Sequence, residues 1–202
     1  MKNMVKLMFG LAAGAAVMAS AAGSFPFPQN MKYPHGNIIE YANTDVIKQH
    51  YDAWKKAWYS ASQGWVLAPE GTCSTVSEAI AYGMLISVYM DDQTVFDKLY
   101  GTWKSNGGNG AGMNWRVGCQ GGSGSASDAD FDAALALVMA SKQWGGSYLN
   151  DAKTLISWIA LTISMATRLS RVTSGTTRST RAILLRQTSS FSRMLPAVLG
   201  LA

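Results

Sequence analysis

Apolar side chains along this chain recur at the three- and four-residue spacing of amphipathic helices. After Thr44, one such face is formed by Ile47, Tyr51, Trp54 and Trp58, at intervals of 4, 3 and 4. The same spacing predicts four further helices, over residues 78–90, 93–104, 131–144 and 151–158. The apolar positions expected on their inner faces are Ile80, Met84, Val88, Phe96, Leu99, Tyr100, Trp103, Phe131, Leu135, Val138 and Met139.

The segments between these helices are long and rich in glycine. Residues 24–43 show little periodicity, residues 64–74 form a loop, and within 105–127 only residues 113–117 have the pattern of a strand. Helices that follow one another with almost no strand signal predict an all-α fold of consecutive antiparallel helix pairs. Loops of this length in a compact domain are usually functional, but none carries a phosphate-binding motif.

Acidic residues stand at two of the predicted loop-to-helix junctions. Glu78 begins one helix, and Asp128, Asp130 and Asp132 surround the start of another. If both junctions lie at one end of a helical array, the carboxylates share a cleft, and paired carboxylates with many aromatic residues indicate carbohydrate hydrolysis. Trp115, in a loop, is the better candidate for a sugar-stacking platform, whereas Trp54 and Trp58 are expected in the core.

The same acids also fit structural roles. Thr75 and Glu78 have the spacing of a capping box, and Ser127 and Asp130 have a similar one. A helix N-terminus favours the charged form of a carboxylate, which opposes a general-acid role unless burial or a neighbouring carboxylate counteracts it. The Asp-x-Asp-x-Asp spacing lacks the glycine and glutamate of a calcium-binding EF-hand loop.

The N-terminus has the pattern of a secretory signal peptide. A short basic stretch precedes an apolar run too short to span a membrane, and Ala19-Ser20-Ala21 fits a cleavage site, so residues 1–21 are expected to be removed. An exported protein favours a disulfide between Cys73 and Cys119, with two free buried thiols as the alternative. Two cysteines and two histidines without ligand spacing predict no metal site.

The net charge of +5 arises from one end of the chain. Residues 22–160 carry eight lysines, one arginine and twelve acidic residues, a net charge of −3, whereas six of the seven arginines lie from Arg168 onward. This distribution argues against a nucleic-acid-binding domain, and no further segment is apolar enough to suggest a membrane partner.

Residues 161–202 differ in kind from the rest, because they contain no Asp, Glu, Lys, Trp or Tyr. Three interpretations remain open: a basic disordered tail that binds anions, a Ser/Thr-rich linker, and a reading-frame error. We favour the third, near residues 158–161. A shifted reading frame combines the last base of each codon with the first two bases of the next codon. In that frame, the codons of residues 170–185 can encode PGDQWDDAFNPSYFA, a sequence that again contains acidic residues, Trp and the turn-forming pair Asn-Pro.

Two segments resemble the signatures of glycoside hydrolase family 8. STVSEAIAYGM, at residues 74–84, is similar to the proton-donor segment of that family, with Ala79 where glycine is usual. ASDADFDAALALVMASKQW, at 126–144, is similar to its second signature, with Ala133 where Ile or Met is usual. MNWRV, at 113–117, resembles the segment that supplies a sugar-stacking Trp. The resemblance covers about residues 40–160.

The resemblance implies an (α/α)6 toroid, of which about the first half is present, and an inverting endo-hydrolase of β-1,4-glycans. Glu78 matches the general acid, and Asp128 matches the aspartate that holds the sugar at the cleavage point. Tyr82, Trp115 and Asp130 are assigned to substrate binding. The base of the family is an aspartate further downstream, and no acid follows Asp151 here. The chain is therefore expected to lack its base.

These observations give a signal peptide at 1–21, a partial catalytic domain at 22–160 and a frameshifted or disordered basic tail at 161–202. We expect a secreted monomeric cellulase, without a cofactor or metal, whose partner is a β-glucan polysaccharide. Xylan, mixed-linkage glucan and chitosan remain alternative substrates. An inactive carbohydrate-binding remnant and a basic anion-binding protein are the alternatives of other classes.

Overall fold

A computed structural model describes residues 23–27, 43–68, 74–107, 110–119 and 122–173, with side chains up to Ala166. Within these residues the chain forms five helices and four two-residue strands. The helices are α1 (Thr44–Trp58), α2 (Ser77–Tyr89), α3 (Gln93–Ser105), α4 (Ser127–Gln143) and α5 (Tyr148–Thr173). The strands are β1 (Tyr59–Ser60), β2 (Trp65–Val66), β3 (Thr75–Val76) and β4 (Arg116–Val117), paired antiparallel as β1–β2 and β3–β4.

The central layer is formed by α2, α3 and α4. A short turn at residues 90–92 reverses the chain between α2 and α3, and α2 packs on both α3 and α4. The C-terminal ends of α2 and α4 lie together, because Gln143 donates from Nε2 to the carbonyl oxygen of Val88 at 3.4 Å. These two helices therefore run in the same direction, and both begin at the opposite end of the layer.

The predicted inner faces of α2 and α3 are confirmed. Their apolar positions pack into one core with α4 and α5, which excludes water from the contact and provides the main stabilising free energy of the fold. The ring of Phe96 lies edge-on to Trp144 and Tyr148, with ring centroids 5.2 and 5.4 Å apart. The buried members of the predicted set on these two helices are Ile80, Met84, Val88, Phe96, Leu99, Tyr100 and Trp103.

The inner face of α4 is made largely of small residues. Leu135, predicted to face the core, is 40% exposed, and Phe131 and Met139 are only partly buried. Small side chains bring neighbouring helix axes closer, which explains the tight packing of α4 between α2 and α5. The residues that α4 buries instead are Ala129, Ala133, Ala134, Ala136, Leu137, Val138 and Ala140.

Helix α1 begins as predicted but buries less than its pattern suggests. Its N-cap is Asn43, whose side-chain oxygen accepts from the backbone N–H of Asp45 and Val46. The prediction that Trp58 lies in the core is wrong, because its side chain is 41% exposed among the described residues. Trp54 is half-buried and stacks on Tyr51, with ring centroids 5.8 Å apart. The amphipathic pattern of α1 is thus only partly satisfied by this part of the chain.

Helix α5 is longer than predicted at both ends. It begins at Tyr148, after a turn in which Ser147 bonds the carboxylate of Asp151, and continues to Thr173 without a break. The boundary predicted at residue 160 therefore lies inside a helix, and the origin of the following segment stays a prediction. Leu161 and Met165 on this helix are 60% and 62% exposed. No helix of the described part combines the length and apolarity that a membrane span requires.

Candidate active site

A two-strand ladder fixes the loop of Trp115 against the start of α2. Strands β3 and β4 pair with Thr75 opposite Val117 and Val76 opposite Arg116. One residue further on, the backbone N–H of Ser77 donates to the carbonyl oxygen of Trp115 at 3.1 Å. The other side of the loop is held by the N–H of Trp115, which donates to the carbonyl oxygen of Gly124 at 2.8 Å. The predicted platform thus lies beside the residue that precedes Glu78.

Glu78 is the second residue of α2 and does not belong to a capping box. The helix follows Val76, which provides no side-chain cap. Thr75 lies in β3, where its fully buried hydroxyl donates to the carbonyl oxygen of Val66 at 2.6 Å. A buried hydroxyl must find an acceptor, and this one finds it outside the helix. The carboxylate of Glu78 is partly buried and accepts from the hydroxyl of Ser77 at 3.1 Å, so the capping prediction for Thr75 and Glu78 is wrong.

The start of α4 likewise lacks the predicted side-chain cap. Ala126 precedes the helix and offers no capping oxygen, and the N–H of Asp130 donates to the carbonyl oxygen of Ala126 at 3.0 Å. Asp128 and Asp130 lie in the first turn, where the helix N-terminus favours negative charge. The side chain of Asp128 is exposed, and that of Asp130 is buried.

The carboxylates of the two helix starts act on each other electrostatically. Burial, together with the negative charges of Asp128 and Glu78, raises the pKa of Asp130, and a hydrogen bond from Ser125 opposes them, so that the resulting pKa is about 6. Burial and the charge of Asp128 also raise the pKa of Asp132. Asp130 of one signature is therefore acted on by the charge of Glu78 from the other and by that of its own neighbour Asp128.

Asp130 occupies an enclosed position beneath this cluster. Its side chain is 3% exposed, and its Oδ1 has no hydrogen-bond partner among the described residues. A Cβ on Gly112 would stand 2.9 Å from that oxygen and 2.4 Å from the ring of Trp158, so glycine is what allows the three groups to meet. This burial argues against direct contact between Asp130 and a substrate.

The two aromatic residues assigned to substrate binding differ in access. Tyr82 lies four residues after Glu78, on the same face of α2, and is 56% exposed. Trp115 is partly buried, and the guanidinium of the exposed Arg116 lies over its ring, 3.7 Å from the centroid. A sugar stacking on that face of Trp115 would have to displace Arg116.

Cys119, two residues after β4, is disulfide-bonded. Cys73 lies outside the described residues, so its pairing with Cys119 stays a prediction. Such a bond would join the loop before β3 to the loop after β4, across the same ladder that holds Trp115.

Sequence reasoning missed Trp158 and Gly112 as neighbours of the acidic cluster. Trp158 was predicted only as the end of a helix, and Gly112 only as part of a glycine-rich loop. Gly110 and Gly112 are the sequence feature that could have indicated a close neighbour of this loop, because a Cβ at either position would overlap the Trp158 ring. No described group of three His, Cys, Asp or Glu side chains has the arrangement of a metal site.

A cavity in the described part of the chain lies outside the acidic cluster. It has a volume of about 220 Å³ and is lined by parts of α3, α4 and α5, including Lys104, Asp151 and Thr154, and by Gly107, Gly110 and Ala111. Glu78, Asp128 and Asp130 are not in its lining. The carboxylates instead lie where α2 and α4 begin, with Asp128 exposed, Glu78 partly buried and Asp130 buried.

Comparison with known proteins matches the family model described as glycosyl hydrolases family 8 over residues 25–179. The chain is 34% identical to "Endoglucanase 2" of Ruminiclostridium josui and 38% identical to "Endoglucanase A" of Acetivibrio thermocellus, each over 70% of this chain. It spans about a third of those relatives, 35% and 34% of their lengths. The solved apo structure of a beta-1,3-1,4-glucanase from Paenibacillus sp. X4 is 35% identical with a TM-score of 0.60, over 69% of this chain and 43% of that one.

Proposed function

This chain belongs to glycosyl hydrolase family 8, and we propose that it provides the acid-bearing part of a secreted, inverting hydrolase that cleaves internal β-1,4-glucosidic bonds of cellulose or related β-glucans. The observation that carries the proposal is that Glu78, at the start of α2, follows the residue bonded to Trp115 and acts electrostatically on Asp130 at the start of α4. Its mostly helical fold agrees with part of an (α/α)6 toroid.

Glu78 acts as the general acid in this proposal. Its carboxyl group protonates the glycosidic oxygen as the bond to the departing sugar breaks. The hydroxyl of Ser77, 3.1 Å from Glu78 Oε2, orients the acid.

Asp128 holds the sugar at the cleavage point, because it is the exposed aspartate of the cluster and can accept hydrogen bonds from sugar hydroxyls. Tyr82 and Trp115 contact neighbouring sugar rings. In an inverting reaction a second carboxylate activates water on the opposite face of the sugar, roughly 6.5–9.5 Å from the acid. We place that base outside the described residues.

The names of the similar proteins support a β-glucan as the substrate class. Two are called endoglucanases, and one is called a beta-1,3-1,4-glucanase. Mixed-linkage glucan is therefore tested beside carboxymethyl-cellulose, with xylan and chitosan as further substrates in the same assay.

Binding of a glucan fragment tests the site without requiring turnover. Cellohexaose is titrated into the 202-residue chain and into its Trp115→Ala variant, and binding is measured by calorimetry or by NMR. Trp58→Ala is the matched control, because Trp58 is an exposed tryptophan of α1 that the proposal does not place at the site. We expect Trp115→Ala to weaken binding and Trp58→Ala to leave it unchanged. Equal effects would contradict the assignment of Trp115.

A hydrolysis assay tests the role of Glu78 as the acid and the expected absence of the catalytic base. We expect the 202-residue chain to release no more reducing sugar than its Glu78→Gln variant. Clear hydrolytic activity that Glu78→Gln abolishes would contradict the expectation that the chain lacks its base, and would support Glu78 as the acid. Activity that survives Glu78→Gln would contradict its role. Sequencing the gene across codons 150–202 decides whether the downstream reading frame is shifted.

A carbohydrate-binding remnant is the second candidate function, favoured by Trp115 and Tyr82 lying beside the acids. It predicts that cellohexaose binding is retained in Glu78→Gln and lost in Trp115→Ala, with no hydrolysis by any variant.

A further inference from the structure

We propose that the signal peptide is cut immediately before Gly23, and that the α-ammonium group released there docks on the Asp91 carboxylate. This inference rests on the proposed secretion of the chain and does not depend on the hydrolytic site. It concerns the C-terminal ends of α2 and α4, whereas Glu78 and Asp128 lie where those two helices begin.

Residues 23–25, the lead segment, are hydrogen-bonded at each residue to the ends of α2 and α4. Gln143 is 3% exposed, and its side-chain amide accepts from the N–H of Phe25 and donates to the carbonyl oxygen of Phe25, each at 2.7 Å. The N–H of Ser24 donates to the carbonyl oxygen of Gln143 at 2.7 Å, and that of Gly23 donates to Asp91 Oδ2 at 3.1 Å. The buried amide of Gln143 thus fixes the path of the chain up to Gly23.

Position 23 has room for a backbone nitrogen but not for a side chain. A Cβ there would overlap Asp91 Oδ1 and would stand 2.9 Å from both Gln143 Cδ and Trp144 Nε1. Because glycine has no Cβ, the nitrogen of this residue can approach the carboxylate closely. The site therefore receives the main chain itself.

Asp91 is a carboxylate that lacks a positive partner. No Lys or Arg of the described residues forms an ion pair with it, although Trp144 Nε1 donates to its Oδ1 at 2.7 Å. It directly follows Met90, the C-cap of α2, and a helix C-terminus disfavours an anion and favours a cation. A positive charge at the nitrogen of Gly23 would compensate both the carboxylate and the helix end.

The backbone of Asp91 also supports a role for its side chain. Its φ of 56° lies in the left-handed region, at the position after a helix C-cap, where glycine or asparagine is usual. An aspartate in this conformation adds a charge that the turn itself does not need. Docking of the N-terminus gives that charge a purpose.

The proposed cut lies one residue beyond the site expected from Ala19-Ser20-Ala21. Ser20 and Ala22 are both small, so they satisfy the same small-x-small rule for a cut after Ala22. A signal peptidase hydrolyses the peptide bond between Ala22 and Gly23 with one water. The carboxylate stays on Ala22 and departs with the signal peptide, and the nitrogen of Gly23 becomes an ammonium group. The exported chain thereby gains a charge-assisted hydrogen bond that its precursor lacks.

Export of the 202-residue chain in a bacterial host tests the position of the cut. The N-terminal peptide of the exported protein is identified by mass spectrometry, and we expect it to begin at Gly23. A mature chain that begins at Ala22, or at any other residue, would overturn the proposed cut. So would a chain that retains residues 1–22.

The docked ammonium group is tested on residues 23–202, released from a fusion protein by a protease, so that this test needs no export. Enzymatic acetylation of the α-amino group is the comparison, because it removes the charge and keeps an N–H that can donate to Asp91. We expect acetylation to lower the melting temperature by about 2–4 °C in wild type and to have no effect in Asp91→Asn. Asparagine tolerates the left-handed backbone and keeps an acceptor for Trp144, so this variant is expected to fold.

Asp45→Asn is the matched control, because Asp45 is an exposed aspartate of α1. In that variant acetylation should lower the melting temperature as much as in wild type. No effect of acetylation in wild type, or an equal effect in wild type and Asp91→Asn, would overturn the docking. The proposed hydrolysis can fail on its own, because neither test uses a glucan.

Discussion

The backbone amide of Ser77 donates to the carbonyl oxygen of Trp115 at 3.1 Å, which joins the helix of the proposed acid to the loop of the proposed sugar platform. The bond extends the β3–β4 ladder by one residue. Any change that loosens the ladder should therefore disturb both groups together.

The buried hydroxyl of Thr75 anchors this ladder. Thr75→Val keeps the shape of the side chain but leaves the carbonyl oxygen of Val66 without its 2.6 Å donor, so we expect a loss of about 1–3 kcal/mol in the free energy of unfolding. Urea denaturation measures it. Thr94→Val, at an exposed position of α3, is the control and should change stability by less than about 0.5 kcal/mol. Equal losses at both sites would contradict the anchoring role.

Gly112 is required because Trp158 and Asp130 crowd it. In Gly112→Ala the new Cβ would stand 2.4 Å from the Trp158 ring, and we expect a loss of about 1–3 kcal/mol from overpacking. Gly101→Ala is the control, since nothing lies within 4 Å of its Cβ and it stands inside α3. There alanine should stabilise the chain by about 0.5–1 kcal/mol. Thermal or urea unfolding should thus show a loss of stability in Gly112→Ala and a gain in Gly101→Ala.

Asp92 connects α1 to the start of α3. Its carboxylate caps α3 at the N–H of Val95 and accepts from Tyr51 and Lys55 at 2.8 and 2.9 Å. We expect Asp92→Ala to cost about 1–3 kcal/mol in urea unfolding and to speed amide hydrogen exchange in α1. Asp52→Ala, which removes the exposed Asp52 carboxylate and its ion pairs with Lys48 and Lys55, should cost less than about 1 kcal/mol.

The contribution of Asp92 should also depend on pH. Burial alone would raise the pKa of Asp92, but hydrogen bonds from Lys55, Tyr51 and the Val95 amide outweigh it and hold the pKa below its ordinary value. A carboxyl group with a lowered pKa stabilises the folded state above its unfolded pKa and loses that contribution as the pH falls. The difference between wild type and Asp92→Ala should therefore shrink below about pH 4. A constant difference from pH 7 to pH 3 would contradict it.

Asp130 should have the opposite effect on stability. Its raised pKa means that the folded chain retains a proton that the unfolded chain releases, so stability falls as the pH rises from about 4 to about 6. We expect Asp130→Asn to be more stable than wild type at pH 7 by up to about 2 kcal/mol, and to show little difference at pH 4. Urea denaturation at the two pH values measures this. If wild type and Asp130→Asn differed in stability by the same amount at both pH values, the charge of Asp130 would not destabilise the folded chain.

The helices could be predicted from the sequence because their periodicity is local. The inner faces of α2 and α3 are buried as their spacing predicts, and both acidic motifs lie at helix starts. The caps could not be predicted, since Thr75 and Glu78 satisfy the spacing of a capping box while the hydroxyl bonds Val66. Local spacing says which partners are possible, and distant residues compete for the same hydrogen bond.

The sequence by itself determined the helical class, the acidic helix starts and the resemblance that the family match confirms. Only the tertiary structure decided that Trp58 is exposed, that α4 buries alanines, and that Asp130 is enclosed by Gly112 and Trp158 while Asp128 is exposed. Asp128 and Asp130 are two residues apart in one helical turn, so they point to different sides of α4. Which side meets solvent depends on the packing of α2, α5 and the glycine loop, which no short stretch of sequence contains.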